Sequence, residues 1–306
     1  MTAELRPTRP DRLELGEGIR WTGTGIVLVD LLAGRLLAAP GDPTAPLRTV
    51  ARLPVPLGAV APVAGRPDTW IAAAGTGICL LHPDGTSDWP ARPEDGAAPP
   101  RRMNDAVADP SGRFWAGSMG YDADEAAGAL YRVDRDGTVE RVLDGVTVPD
   151  GPVFTPDGRS MYLADSGWGV VRRYPVAPAT ARLGAPEVFV TVDDGSPDGM
   201  AVDAECAVWI AVRGSAKVRR HLPDGTPDRT LRLPARRPAG VCLEGGVLHV
   251  TTARLGLHHP GPYDGAVFGV RVEVPGSPAA PYRPTASVVP TPSAVAPDEA
   301  TGRGTA

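Results

Sequence analysis

Three acidic residues stand in glycine-rich turns far apart in the chain: Glu17 in LGEGIRW, Asp150 in VPDGPVF and Asp198 in SPDGMAVD. Turns of this kind hold a carboxylate at a strand end, where a rigid scaffold can present it to a shared centre. If the fold brings the three together, they form an all-oxygen site with room for water, which is donor chemistry for a hard divalent cation. A second constellation lies in RRMNDAVADPSGRFWAGSM. Arg102 and Asn104 sit two apart on a segment read as extended, so they share a face, with Met103 and Asp105 turned away. Asp105 is expected to brace the turn through a bond to its own backbone. The histidines assemble no metal set: His82 and His221 occupy equivalent hairpin positions, His249 replaces an aromatic landmark, and His258-His259 precede a proline without a third ligand at useful spacing. Ser118 and Ser166 have no partnered histidine, so no serine triad is indicated.

Something must carry those acids to one point, and the repeats supply it. Short β-rich runs recur as DTWIAAAG, GRFWAGSM, SMYLADSG, AVWIAVRG and VLHVTTAR, with landmarks Trp70, Trp115, Tyr162, Trp209 and His249 at separations of 45, 47, 47 and 40 residues. This period is the scale of one four-stranded propeller blade. Turns such as Asp109-Pro110-Ser111-Gly112 and Pro156-Asp157-Gly158 precede the runs, and a second hairpin follows in most repeats at Asp84-Gly85, Asp136-Gly137 and Asp224-Gly225. GIRWTGTGIVLVDLLAGRLLAA supplies a sixth repeat. The last apolar run, DGAVFGVRVEV, either completes the blade that His249 begins or closes the ring with the N-terminal strand. The pattern predicts an all-β, six-bladed β-propeller of four-stranded antiparallel blades over residues 12–275. Residues 1–11 are expected to be a flexible N-terminus and 276–306 a disordered Pro/Ala-rich tail. Innermost strands of a propeller surround one channel, so residues 133 and 48 positions apart can meet at its mouth.

Composition agrees with this and excludes other classes. The 306 residues are 42% hydrophobic but only 5% aromatic, so the core is built from Val, Leu, Ile and Ala. Gly 37 and Pro 35 favour many turns over long helices. The net charge of −5 and the lack of a basic block argue against nucleic acid as a partner. Cys79, Cys206 and Cys242 are odd in number and make no CxxC, so they are read as buried free thiols. The N-terminus has no apolar h-region and no stretch approaches the roughly 18 apolar residues of a membrane span, so a soluble cytoplasmic protein is expected.

GEGIRW, RRMNDAVADPSGRFWAGSM, VPDGPVFTPDGRSMYLADS and PDGMAVDAECAVWIAVRG resemble the senescence-marker-protein, gluconolactonase and luciferin-regenerating-enzyme family, which includes regucalcin, over most of the chain. The resemblance implies a six-bladed propeller with one divalent cation near the top of the channel, calcium first and Zn, Mn or Mg as alternatives. Its protein ligands fall on Glu17, Asp150 and Asp198. It further implies substrate contacts at Arg102 and Asn104, and Asp198 as general base. Some members carry an acidic substrate contact three residues past the matching methionine; here that is Asp122, with Tyr121, Asp124 and Glu125 as competitors. The family usually has Asn-Gly where this chain has Asp150-Gly151, an exchange that favours cation binding at the expense of residual Lewis acidity. The expected function is a metal-dependent lactonase, a gluconolactonase-like carboxylic ester hydrolase acting on a small-molecule lactone as a monomer or weak homo-oligomer. The alternatives are a calcium-binding regulatory protein without catalysis and a propeller recruited to specialised metabolism.

Overall fold

Second strands such as Trp70–Ala74 are buried along their whole length, whereas outer strands such as Ser87–Ala91 and Pro227–Arg232 alternate toward solvent. That gradient follows from stacking sheets face to face around an axis: inner strands are covered on both faces, outer ones are not. A computed structural model of the protein describes residues 6–42, 44–123 and 126–285. These form six antiparallel sheets, each running outward from an innermost strand: Gly16–Trp21, Leu57–Pro62, Arg101–Ala108, Pro149–Phe154, Ser196–Val202 and Pro238–Glu244. The innermost strands neighbour one another in sequence order, and the first packs against the sixth, so the ring closes. The fold is a six-bladed β-propeller.

Apolar side chains fill the seams between blades. Ile71 and Ile78 of blade 2 meet Met103 and Phe114 of blade 3, and Trp115 and Leu130 of blade 3 meet Met161 and Leu163 of blade 4. The landmark tryptophans are pinned by the turn that precedes them. Trp115 donates its indole N–H to Asp109 Oδ2 at 3.0 Å, and Trp209 does the same to Asp203 Oδ2 at 3.0 Å. The Asp-Gly hairpins carry the Asx bonds their sequence predicts, as in Thr86 N to Asp84 Oδ1 at 2.9 Å and Thr226 N to Asp224 Oδ1 at 2.9 Å.

The folded unit reaches further at both ends than the pattern placed it. Blade 6 has three strands from its own segment, Val267–Arg271 being the outermost. Pro7 bridges to Phe268 on that edge, and Thr8 bonds the Val267 carbonyl. The last run therefore both completes its blade and meets the N-terminal segment. Residues 276–285 cross the end of the channel opposite the acidic site. Gly276 bonds the Gly245 carbonyl, Ala279 bonds that of Trp21, and Tyr282, 3% exposed, bridges to Val63. Residues 1–5 and 286–306 of the expected flexible ends lie outside the described residues. No helix among the described residues is long and apolar enough to cross a membrane. Cys79 and Cys242 are buried free thiols, but Cys206 is only half-buried, because it sits in the turn after Asp203 with φ +60°.

Candidate active site

Each innermost strand carries one residue more than its neighbour in the same blade, near one end of the channel. Pairing skips between Glu17 and Arg20, Leu57 and Ala59, Asp150 and Val153, Pro197 and Met200, and Pro238 and Val241. In blade 3 the extra residue falls between Met103 and Ala106, opposite the Ala116 to Ser118 step. Such a bulge re-aims a side chain out of the ladder. Glycine makes it possible: Gly151 takes φ +83°, and a Cβ on Gly58 would run into the Asn104 carbonyl. Six bulges thus create equivalent positions around the channel, held by Glu17, Leu57, Asn104, Asp150, Asp198 and Ala239. Four are polar, and all four border one cavity of about 260 Å³, together with Arg102, Met119, Ser166 and Arg213.

Glu17, Asp150 and Asp198 are 7%, 6% and 2% exposed. Burial pushes the Glu17 carboxyl well above the usual range, with repulsion from Asp198 and Asp150 adding to it. Burial and then Asp150 do the same to Asp198. Asp150 is raised to about 6, again mainly by burial, while the Ser166 hydroxyl, the Arg213 charge and the Asn104 amide pull it back. Asn104 Nδ2 donates to Asp150 Oδ1 at 2.7 Å and to the Pro149 carbonyl at 2.9 Å, and Ser166 Oγ bonds Asp150 Oδ2. Asp198 Oδ1 accepts only its neighbouring Gly199 N–H, at 3.0 Å. The Glu17 carboxylate takes no hydrogen bond and no ion pair among the described residues.

A buried carboxylate with no donor, facing two more, is an arrangement that a cation would stabilise. The donor set is all oxygen and fits a hard divalent ion, with Glu17, Asp150 and Asp198 as the residues to hold it. Among the described residues, however, no three His, Cys, Asp or Glu side chains stand in a metal-holding arrangement. All three acids line the one cavity, and the Asn104 and Ser166 bonds hold Asp150 in place.

Arg102 is 8% exposed and spends Nη1 on Asn104 Oδ1 at 2.7 Å and on the Met103 carbonyl at 3.0 Å. Asn104 has both amide hydrogens committed, so its strongest visible role is to orient Asp150. Met103 does face the core, as alternation predicts, but Asp105 departs from it. The blade 3 bulge sets Asp105 beneath the site, where it accepts from Ala106 N at 2.8 Å, Arg20 Nη2 at 2.8 Å and Gly151 N at 3.1 Å. It braces three blades rather than one turn. Asp122 is exposed, and its neighbour Ala123 borders the cavity. Asp124 and Glu125 lie outside the described residues. The histidines stay structural: His82 bonds Asp88, His221 the Gly225 carbonyl, and His249 Glu244. Sequence reasoning missed Arg213 and the role of Ser166. Ser166 follows a strand and Arg213 ends one inside quoted repeats, SMYLADSG and AVWIAVRG, at the end facing the acids, and that placement was the available signal.

A family model described as SMP-30/Gluconolactonase/LRE-like region matches residues 15–254. The chain is 33% identical over 275 residues to the 6-deoxy-6-sulfogluconolactonase of Pseudomonas putida, covering 86% of this chain and 92% of that protein. It is 37% identical over 159 residues to a pentonolactonase of Haloferax volcanii, covering 50% and 54% of the two chains. The crystal structure of a calcium-binding protein, regucalcin, from Agrobacterium tumefaciens superposes with a TM-score of 0.82 at 26% identity, covering 91% of this chain and 97% of that one.

Proposed function

The chain belongs to the SMP-30/gluconolactonase/LRE-like family, and on that premise we propose that it is a divalent-metal-dependent lactone hydrolase. The observation that carries this reading is the set of three buried, mutually repelling carboxylates around one cavity, with Glu17 accepting no hydrogen bond among the described residues. A bound divalent cation would supply Lewis-acid polarisation of the lactone carbonyl. Glu17, Asp150 and Asp198 would hold it. The reaction adds water to the carbonyl carbon and breaks the ring C–O bond; the ring oxygen takes a proton and leaves as the hydroxyl of a hydroxy acid. Asp198 is the general base, receiving a proton from the attacking water and returning it to the ring oxygen. Its burial suits that role, since a carboxylate raised above the usual range is a stronger proton acceptor near neutral pH. Arg102 retains guanidinium donors beyond Nη1 and orients the substrate's hydroxyl and carbonyl oxygens. Asn104 fixes Asp150 and offers its remaining Oδ1 lone pair. Asp122, on the exposed loop beside the cavity, is the proposed outer substrate contact.

A second reading, a calcium-binding protein without turnover, is favoured by one feature: Asp150 gives the site a third full negative charge. The purified, chelator-treated protein should be assayed against sugar and aliphatic lactones with calcium, manganese, zinc or magnesium restored singly. Metal-dependent acid release from at least one lactone, lost in Asp198→Ala, is the expected result. Calcium binding without hydrolysis of any lactone would favour the second reading, and full turnover by Asp198→Ala would remove the base from the mechanism.

A further inference from the structure

The lactonase reading uses the charge of one cavity residue, Arg213, which draws down the carboxyl pKa values of Glu17, Asp150 and Asp198, but gives its hydrogen-bond donors no partner. Arg213 ends the strand Val208–Arg213 of blade 5 and borders the cavity, with its side chain 30% exposed. Its ion pair with Asp198 Oδ2 is a loose 3.9 Å, and its guanidinium donates no hydrogen bond among the described residues. Arg220, on the next strand of the same blade, shows what a structural arginine looks like here: it is bound by Asp203, Glu205 and Asp228 at 2.7–2.9 Å. Arg213 instead keeps a planar fork of donors unspent beside the space a substrate would fill.

Charge on the cavity wall points the same way. A divalent cation on the three carboxylates would leave one negative charge, against the two guanidiniums of Arg102 and Arg213. Asp105 does not change the balance, because Arg20 pairs with it. More positive charge stands beyond Arg213: among the described residues Arg237 is hydrogen-bonded only to the carbonyls of Leu255 and Gly256, and burial together with repulsion from Arg213 and Arg236 lowers its pKa. Asp264 engages Arg236, and Asp194 is engaged by Lys217 and Arg219, so the nearby acids are committed elsewhere. A guanidinium with open donors is best satisfied by an oxyanion in bidentate contact.

We infer that Arg213 is an anion-binding subsite that selects lactones bearing a second acidic group, a carboxylate or sulfonate, away from the ring ester. This rests on the lactonase reading and names the substrate class for that site. Arg213 makes no bond to the reacting carbonyl in this scheme, so it acts on specificity. The alternative role, holding the carboxylate that every lactone yields on opening, predicts equal effects on neutral and acidic substrates.

The matched probes are the γ-lactones of gluconic and glucaric acid, which differ in a terminal hydroxymethyl against a carboxylate. The wild-type protein should show the higher kcat/KM on the acidic lactone. Arg213→Gln should lower the acidic-to-neutral ratio of kcat/KM by at least tenfold, mainly through KM, and Arg213→Lys should restore part of it by returning the charge without the fork. Equal losses on both lactones, or a wild-type preference for the neutral one, would overturn the inference. If no lactone of the wider panel, these two included, is hydrolysed with any of the four metals, the lactonase reading fails on its own. Titration calorimetry with gluconate and glucarate then decides the arginine's role: preferential glucarate binding lost in Arg213→Gln supports it, and equal binding ends it.

Discussion

Glu17, Asp150 and Asp198 each bind a proton more tightly in the folded protein than an exposed carboxyl does, Asp150 with its pKa raised to about 6. Folded values above unfolded ones mean that stability of the metal-free protein falls as pH rises from about 4 through 6 and beyond, as the unfolded chain gives up its protons first. Cation binding works against that trend, because it takes the deprotonated acids. Calorimetry with chelator and with calcium, at pH 5 and pH 8, should therefore give a larger calcium-induced rise in Tm at pH 8. An equal rise at both would detach the cation from these acids. Asp150→Asn removes one charge from the cluster and should raise the Tm of the chelated protein at pH 8 while weakening calcium binding about tenfold. The glycine-flanked acids were legible because a carboxylate beside glycine is a local signal. The spent amide of Asn104 and the unspent fork of Arg213 were not, since both depend on neighbours from other blades or other strands.

Within a blade, the turn aspartate organises the element. Asp203, fully buried, accepts from the Glu205 and Ala207 backbone, from the Trp209 indole and from Arg220 Nε at 2.8 Å. Blade 3 repeats the pattern with Asp109 and Trp115, and the two tryptophans are capped by Arg132 and Arg220 at 5.8 and 5.9 Å. Asp203→Ala strands two backbone donors, an indole and part of a buried guanidinium, and should cost about 3 kcal/mol in urea unfolding. Asp228→Ala removes a partly exposed partner of the same arginine, at 2.9 Å, and should cost no more than about 1 kcal/mol. Comparable losses in the two variants would deny the turn aspartate its organising role. This level was readable from sequence: the turn, the aromatic and the strand lie within about ten residues. The bulges were not, because an extra residue in one strand is defined only against its partner, and a simple alternation then assigns Asp105 to the wrong side.

At the scale of the molecule, ends far apart in sequence seal the ring. Pro7 and Thr8 extend blade 6, and residues 276–285 close the channel opposite the acids over an apolar cavity of about 160 Å³ bordered by Trp21, Phe154, Cys242 and Pro278. Tyr282 anchors this strap, with its hydroxyl bonding the Asp134 carbonyl at 3.0 Å. Tyr282→Ala should cost about 3 kcal/mol, and a chain ending at Pro275 should melt several degrees below one ending at Thr285. Matching melting curves for the two truncated chains would mean the strap contributes nothing to stability. Proline-rich composition concealed this segment, since it lacks periodicity and takes its order from blades it crosses.

The sequence by itself determined the repeat, the all-β character, the turns and the acids at the strand ends, because each is set by interactions among residues close along the chain. Only the tertiary structure decided that four of six equivalent bulge positions present polar groups to one cavity, that Asp105 ties blades 1, 3 and 4 together, and that Arg213 stands there with its donors free. Those facts arise where strands from different blades converge on the channel axis, and no local pattern encodes the direction from which a distant blade arrives.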